Sequence, residues 1–342
     1  MAIIKIKNQA IDLDAAEIPN LPATKITSGT FDNARISLDA AEIPNLDTAK
    51  ITTGTLADAR VPDLNASKIT AGTITDARLP ANALNSNVSV PNQSAFKNII
   101  INGDMSLAQR GTSTSSITAD GFYSCDRWKL GIGSFGTWTQ SQDSDVPSGY
   151  GFSKSLKMDC TTAQGSPGVS NAITYDYSVE GQNLQYLKWG TSSAEQVTLS
   201  FWHKHTKTGT NIVELLDSDN GDAVSGSYTQ SVSNTWEKAT IVYPAKTSGA
   251  LDNDNARSLR IRITIGAGSN YTSGTLATTW QSSITNANRL AGQVNNADST
   301  SNNFIIAGVQ FEAGTTASDF EFLPVDVNLG RCQRYFYMHG QG

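Results

Sequence analysis

The run Asn211-Ile212-Val213-Glu214-Leu215-Leu216 is followed by Asp217-Ser218-Asp219-Asn220-Gly221-Asp222 and then by Ala223-Val224-Ser225-Gly226-Ser227-Tyr228-Thr229-Gln230. Two runs suited to a pleated, half-buried surface are joined by a polar hinge, and Asn-Gly is the pair that most favours a tight turn between antiparallel strands. This stretch therefore reads as a β-hairpin. Outward from it, short alternating segments recur between clusters of Gly, Asn, Asp and Ser, the pattern of an antiparallel sandwich. Strands are expected at 196–205, 237–243, 258–266, 303–311 and 333–338, and residues 136–141 also read as extended. Some ten strands in about 245 residues suit one jelly-roll sandwich, so the second part of the chain is expected to be all-β.

The first part is different. The chain has 342 residues and 27 aromatic side chains, yet only Phe31 precedes position 96. A step that sharp marks a boundary near residues 95–97. The only glycines before it, Gly29, Gly54 and Gly72, share one local phrase, spaced by 25 and then 18 residues. The difference of seven is an inserted Leu-Asp-Ala-Ala-Glu-Ile phrase, present at 13–18 and 38–43. Large apolar residues recur at every fifth position within each repeat: Leu21, Ile26, Phe31 and Ile36, then Leu46, Ile51, Leu56 and Val61, then Leu64, Ile69, Ile74 and Leu79. A period of five matches neither helix nor strand, and points to short helical turns alternating with extended stretches. Asp14, Asp39, Asp47 and Asn65 stand where a side chain can cap one turn of helix, and Pro19, Pro44 and Pro62 prevent its continuation. Four aliphatic side chains cannot offset the entropy of ordering a repeat of this length. Parallel copies around an axis would supply the missing core, so residues 11–95 are expected to form an elongated homotrimeric shaft with those twelve apolar positions facing inward. A single-chain solenoid also turns every fifth residue inward, but the breaks in register after Ile36 and Ile43 argue against it.

Charge narrows the function. Lys and Arg number 25 against 31 Asp and Glu, a net charge of −6, so there is no basic field to draw in a phosphate backbone and nucleic acid is not an expected partner. No apolar run approaches the roughly 20 residues of a membrane span. Cys125, Cys160 and Cys332 are too scattered for a disulfide framework or zinc knuckle and are expected to be buried thiols.

Both parts resemble one family. Ile43-Pro44-Asn45-Leu46, Ala49-Lys50-Ile51-Thr52-Thr53-Gly54-Thr55-Leu56 and Ala57-Asp58-Ala59-Arg60-Val61-Pro62 are similar to the shaft repeats of bacteriophage tail fibre proteins. Seven further groups of phrases resemble the C-terminal domain of marine and cyanobacterial phage tail fibres. They are Asn98-Ile99-Ile100-Ile101-Asn102-Gly103-Asp104-Met105 with Ala108-Gln109-Arg110-Gly111; Asp126-Arg127-Trp128; Val179-Glu180-Gly181-Gln182-Asn183; Ser200-Phe201-Trp202; Thr235-Trp236-Glu237-Lys238; Gly308-Val309-Gln310-Phe311-Glu312-Ala313-Gly314; and Arg331-Cys332-Gln333-Arg334-Tyr335-Phe336-Tyr337. The resemblance implies a sandwich similar to carbohydrate-binding modules. It implies residues 1–10 docking to other virion proteins of tail, baseplate or capsid, a shaft over 11–95, and heads over 97–342 that adsorb to host cell-surface polysaccharide. The protein would be made in the host cytoplasm and reside in the virion. Many such chains continue past the Cys-Gln-Arg-Tyr phrase, so an additional tip domain is not expected here. A purely architectural fibre and a glycan-cleaving spike are the alternatives.

Site chemistry is sparse. Gly131-Ile132-Gly133-Ser134-Phe135-Gly136 has the spacing of a dinucleotide fingerprint, but Gly136-Thr137-Trp138-Thr139-Gln140-Ser141 reads as strand where that motif needs a helix, so a glycine-rich hairpin is expected. The Asp217–Asp222 run invites calcium, yet its glycine is fifth and no Glu stands at the twelfth position, which leaves the hairpin. His203 and His205 project to one side of a strand; meeting the axis of a trimer they would make a metal cage, but they end an inward-facing row and are expected in the core. Glu180, Glu195, Glu214, Glu237, Glu312 and Glu321 show no spacing that singles out a glycanase pair. No enzyme activity, metal or cofactor is expected. Sugar binding needs flat apolar faces beside polar groups. Trp138, Tyr150, Trp189, Tyr271 and Trp280 lie in loop-like polar surroundings and are the candidates for an exposed platform, whereas Trp128, Trp202 and Trp236 sit in strand patterns and are expected in the core.

Overall fold

A computed structural model describes residues 96–339. The chain divides into two compact units, Met1–Ala83 and Leu84–Gly342. The expected docking segment, the expected shaft and the twelve apolar positions expected to face its axis lie outside the described residues.

The described part carries twelve strands: β1 Ser113–Ile117, β2 Gly121–Phe122, β3 Lys129–Ile132, β4 Thr137–Asp143, β5 Ser155–Thr162, β6 Ala172–Glu180, β7 Val197–His205, β8 Gly209–Asp217, β9 Ala223–Gln230, β10 Glu237–Tyr243, β11 Arg257–Ala267 and β12 Asn303–Ala313. They form two six-stranded sheets, ordered β1-β4-β5-β12-β7-β10 and β2-β3-β6-β11-β8-β9, with every pairing antiparallel. From β5 onward the order 5-12-7-10 faces 6-11-8-9, which is jelly-roll winding: every strand but β9 pairs with a partner remote in sequence, and the chain crosses between the sheets at nearly every step. β4 and β1 widen one sheet, β3 and β2 the other.

Alternation explains the layers. In β11, Leu259, Ile261 and Ile263 point into the core while Arg260 and Arg262 between them point out. Cross-sheet contacts close the interior, with Tyr175 of β6 against Phe304 of β12 at 6.3 Å and Phe201 of β7 edge-on to Tyr228 of β9 at 4.9 Å. β12 is buried on both faces along most of its length, as suits a central strand that reads as a continuous apolar run.

The expected hairpin is present as β8 and β9, paired from Gly209↔Gln230 to Leu216↔Ala223. The expected segments at 196–205, 237–243, 258–266, 303–311 and 136–141 are strands β7, β10, β11, β12 and β4. Two expectations are corrected. Residues 333–338 are not a strand: helix α3, Val325–Gln333, ends there, and Arg334, Tyr335 and Phe336 turn back so that their side chains grip the sandwich. The glycine-rich run 131–136 is not a hairpin either, because β3 and β4 belong to opposite sheets and the run carries the chain from one to the other.

Five of the seven phrase groups quoted above are joined to one another, while those at 200–202 and 235–238 lie elsewhere, in β7 and at the start of β10. Asn98 accepts from the backbone N–H of Phe311 at 3.0 Å and donates to the carbonyl of Val309 at 3.1 Å, fastening the entering chain to β12. Gly103 lies so close to this strand that a Cβ there would stand 2.1 Å from the Val309 carbonyl oxygen. Trp128 donates to the Asn102 carbonyl, Gln109 donates to Asp126 at 2.7 Å, and Arg334 donates to Glu180 at 3.0 Å. The Arg127 and Arg110 guanidinium groups lie over the rings of Tyr335 at 3.3 Å and Phe336 at 3.4 Å. These residues build the scaffold.

Candidate functional site

The outer face of the second sheet carries a row of charge. Register places Lys129 of β3 opposite Asp176 of β6, Asp176 opposite Arg262 of β11, and Arg262 opposite Glu214 of β8, so one residue from each of four adjacent strands forms a ladder of alternating sign. Arg262 donates to Asp176 and to Glu214, both at 3.2 Å. The connection from β11 to β12 folds back over this face. It contains two single helical turns, α1 Ser269–Thr272 and α2 Asn286–Arg289, tied together by the Leu290 N–H to the Tyr271 carbonyl at 2.9 Å. The second turn delivers Arg289, which grips the fully buried Glu214 through both carboxylate oxygens at 2.6 and 2.7 Å. That bidentate grip raises the Arg289 pKa above its already high ordinary value.

Between the ladder and the folded-back loop lies an open cleft of about 430 Å³, lined also by Asp120, Gly131, Gly133, Thr174, Arg260 and Tyr271. Its floor stays low because β3 contributes glycine: a Cβ on Gly131 would come within 3.1 Å of the Thr174 hydroxyl. At the rim, Asp120 accepts from the Ile132 N–H at 2.7 Å and from Lys129 at 3.0 Å. Burial pushes its carboxyl upward, but these donors hold it below the usual carboxylate range. Tyr271 supplies the flat apolar wall, with the Arg289 guanidinium 5.8 Å from its ring centre.

Of the five aromatic candidates, Tyr271 alone is in this cleft. Trp138 is fully enclosed, its indole N–H held by the Phe135 carbonyl at 2.8 Å, and cannot form part of an exposed platform. Trp189 is also buried, packed edge-on against half-buried Trp280 at 5.3 Å, each donating to a backbone carbonyl. Backbone carbonyls of Phe135, Glu195 and Pro244 satisfy the three indole N–H groups, and the rings are packed inward instead of framing a platform. Tyr150 is 55% exposed and lies on Trp202 at 4.3 Å, on the outer face of the first sheet. The expectation that Trp202 and Trp236 are core is therefore corrected, whereas Trp128 is core. Trp202 takes the outward phase between Phe201 and His203, and Trp236 precedes its strand and donates to Asp145 at 3.0 Å.

His203 and His205 face the interior of their own sandwich, bonded to Gln230 at 2.8 Å and to Tyr228 at 3.0 Å. Burial lowers both imidazole pKa values, that of His205 strongly. The Asp217–Asp222 loop is organised around a protein cation. Lys246, itself buried, reaches in from beyond β10 and sets its ammonium 3.0 Å from Asp217, 2.7 Å from Asp222, and 2.5 and 3.0 Å from the carbonyls of Ser248 and Gly249. The three cysteines are buried free thiols, as expected. No cluster of three or more His, Cys, Asp or Glu that could hold a metal occurs among the described residues.

Asp176, Glu214, Arg260, Arg262 and Arg289 do not stand out as a group in the sequence. The available signal was the outward phase of Arg260-Ile261-Arg262 against that of Thr174-Tyr175-Asp176. Alternation alone does not say that β6, β11 and β8 are neighbours.

No family model and no curated protein matches the chain. Solved structures with partial likeness include the enzymatically active domain of tailspike protein 4 of bacteriophage CBA120, at 17% identity and a TM-score of 0.33 over 64% of this chain and 22% of that one. A putative sugar-binding protein of Bacteroides thetaiotaomicron is 12% identical with a TM-score of 0.33, covering 64% of this chain and 100% of its own. The family 11 carbohydrate-binding module of a Clostridium thermocellum cellulase is 14% identical with a TM-score of 0.30, covering 60% and 98%.

Proposed function

We propose that this chain is the subunit of a bacteriophage fibre whose jelly-roll head holds a host surface glycan without cleaving it. The observation that carries the reading is the cleft on the second sheet: an open trough with a hydrogen-bonding floor, carboxylate and guanidinium groups fixed in place, and one aromatic wall at Tyr271. Sugar rings need such a combination, an apolar face for the ring and preset polar partners for its hydroxyls. The carboxylates are poor candidates for glycanase chemistry, since Glu214 is clamped through both oxygens and Asp176 is engaged by Arg262 and the Thr174 hydroxyl. Binding therefore suits the geometry better than hydrolysis.

The tail-fibre phrases support a place on the virion, with three heads on a trimeric shaft. Multivalency would then convert weak single sites into firm adsorption by raising effective concentration. Affinity electrophoresis of the full chain through host polysaccharide gels tests the reading. Retardation is expected for the parent, and Tyr271→Ala should weaken it by about tenfold, the loss of roughly one stacked ring. A variant retarded like the parent would remove the cleft from binding, and reducing ends released from the gel would show cleavage instead.

A further inference from the structure

The cleft is unevenly charged. Its lining holds four cations, Lys129, Arg260, Arg262 and Arg289, against two carboxylates, Asp120 and Asp176, with the buried Glu214 paired behind them, in a chain whose net charge is −6. Pair by pair, the carboxylates are already used. Glu214 is taken by Arg289 and Arg262, Asp176 by Arg262 and Thr174, and Asp120 by Lys129 and the Ile132 N–H. Of the four, only Arg260 makes no side-chain hydrogen bond, and its ion pair with Asp176 is a long one. Its strand neighbours in register are Ser178 and Leu216, which carry no charge, and its nearest carboxylate oxygen, on Asp176, is 3.6 Å away, beyond hydrogen-bond reach. A half-buried guanidinium that lines a cleft with its donors unengaged is built to meet an acceptor from outside.

We infer that the glycan held in this cleft carries an anionic substituent, a carboxylate or a sulfate ester on a sugar ring, and that Arg260 receives it. This rests on the glycan-binding reading and narrows it to acidic polysaccharide. The planar fork of arginine matches two oxygens of either group, while the ladder beside it remains occupied with its own partners. The negative net charge of the whole chain makes general attraction to polyanions a poor substitute for such a local contact.

The test is isothermal titration of the full chain with polygalacturonate, dextran sulfate and uncharged dextran, for the parent, Arg260→Gln and Arg260→Lys. The parent should bind at least one charged polymer, and the polymer it prefers identifies the anion as carboxylate or sulfate. Arg260→Gln should weaken that binding by about tenfold or more, the worth of a charge-assisted hydrogen bond, and Arg260→Lys should restore part of it. Equal affinity of the parent for dextran and the charged polymers, or an Arg260→Gln variant that binds like the parent, would overturn the inference and leave glycan binding standing. Binding of no polymer would overturn both. Should Arg260→Gln fail to fold, competition on the parent decides between two monosaccharides that differ by one carboxylate: galacturonate should displace the bound polymer where galactose does not, and equal displacement would refute the role of charge.

Discussion

Lys246 offers the sharpest test of how the loop beside β8 is held. Its ammonium lies among two carboxylates and two carbonyls, with Asp217 fully buried and Lys246 itself only 1% exposed. Lys246→Met keeps the aliphatic stem and removes the charge, leaving Asp217 and Asp222 to repel one another away from water. Removing one partner of a buried ion pair costs about 3–5 kcal/mol. In a sandwich of this size each kcal/mol lowers the melting midpoint by roughly 2–4 °C, so thermal unfolding followed by circular dichroism should show a fall of roughly 6–20 °C. Two comparisons fix the cause. Lys188→Met removes the exposed ion pair with Glu195 and should cost less than about 1 kcal/mol. Adding Asp217→Asn and Asp222→Asn to Lys246→Met should recover much of the loss, because the stranded charges go with it. Lys246→Ala leaves a small space lined with oxygen donors of the kind calcium accepts, so millimolar calcium should raise the midpoint of that variant and leave the parent unmoved. A Lys246→Met midpoint within about 2 °C of the parent would refute the assignment of a structural role to this ammonium.

Two further outcomes concern buried groups. His203 and His205 are held neutral by burial, with depressed native pKa values, so the unfolded chain binds protons before the folded one does. Stability should be level above about pH 7 and fall as pH drops below the ordinary histidine value of about 6.5, with a slope approaching about 1.4 kcal/mol per pH unit for each histidine. Urea midpoints measured across this range should show the fall, and an unchanged slope in His205→Leu would remove His205 as its source. The second outcome concerns thiols. Burial pushes Cys125 and Cys332 up to about 12 and Cys160 to about 11, so all three should react with a thiol reagent only after denaturant is added. Rapid labelling of the native protein at neutral pH would contradict the packing around them.

Much of the sandwich was legible because its strands announce themselves by phase. The β8–β9 hairpin could be read from Asn220-Gly221 between two alternating runs, and the inward turn of His203 and His205 from the row that begins at Val197. The same rule went wrong at tryptophan. Trp202 lies in a strand pattern yet takes the outward phase, while Trp138 and Trp189 lie among polar residues in sequence yet are buried with their indole N–H groups on backbone carbonyls. Residue type records how much surface there is to bury, and only the phase and the neighbours decide whether it is buried. The cleft was illegible for a different reason. Its ladder joins β3, β6, β11 and β8, whose adjacency is a product of jelly-roll winding and leaves no local trace. Lys246 likewise meets Asp217 only after β9 and β10 have returned the chain. The cleft's lining also lies outside the seven phrase groups, five of which join one another around the entering chain and the returning tail instead.

The fastening of the entering chain has a mechanical consequence. The chain enters beside Asn98, which is fastened to Val309 and Phe311 of β12, the strand flanked by β5 and β7. Arg110 and Gln109, a dozen residues on, hold the returning tail at Phe336. A pull on the leading end of this domain therefore meets the bonds of Asn98, Ile99 and Gly103 to the central strand β12 before it reaches β1 at the margin of the sheet.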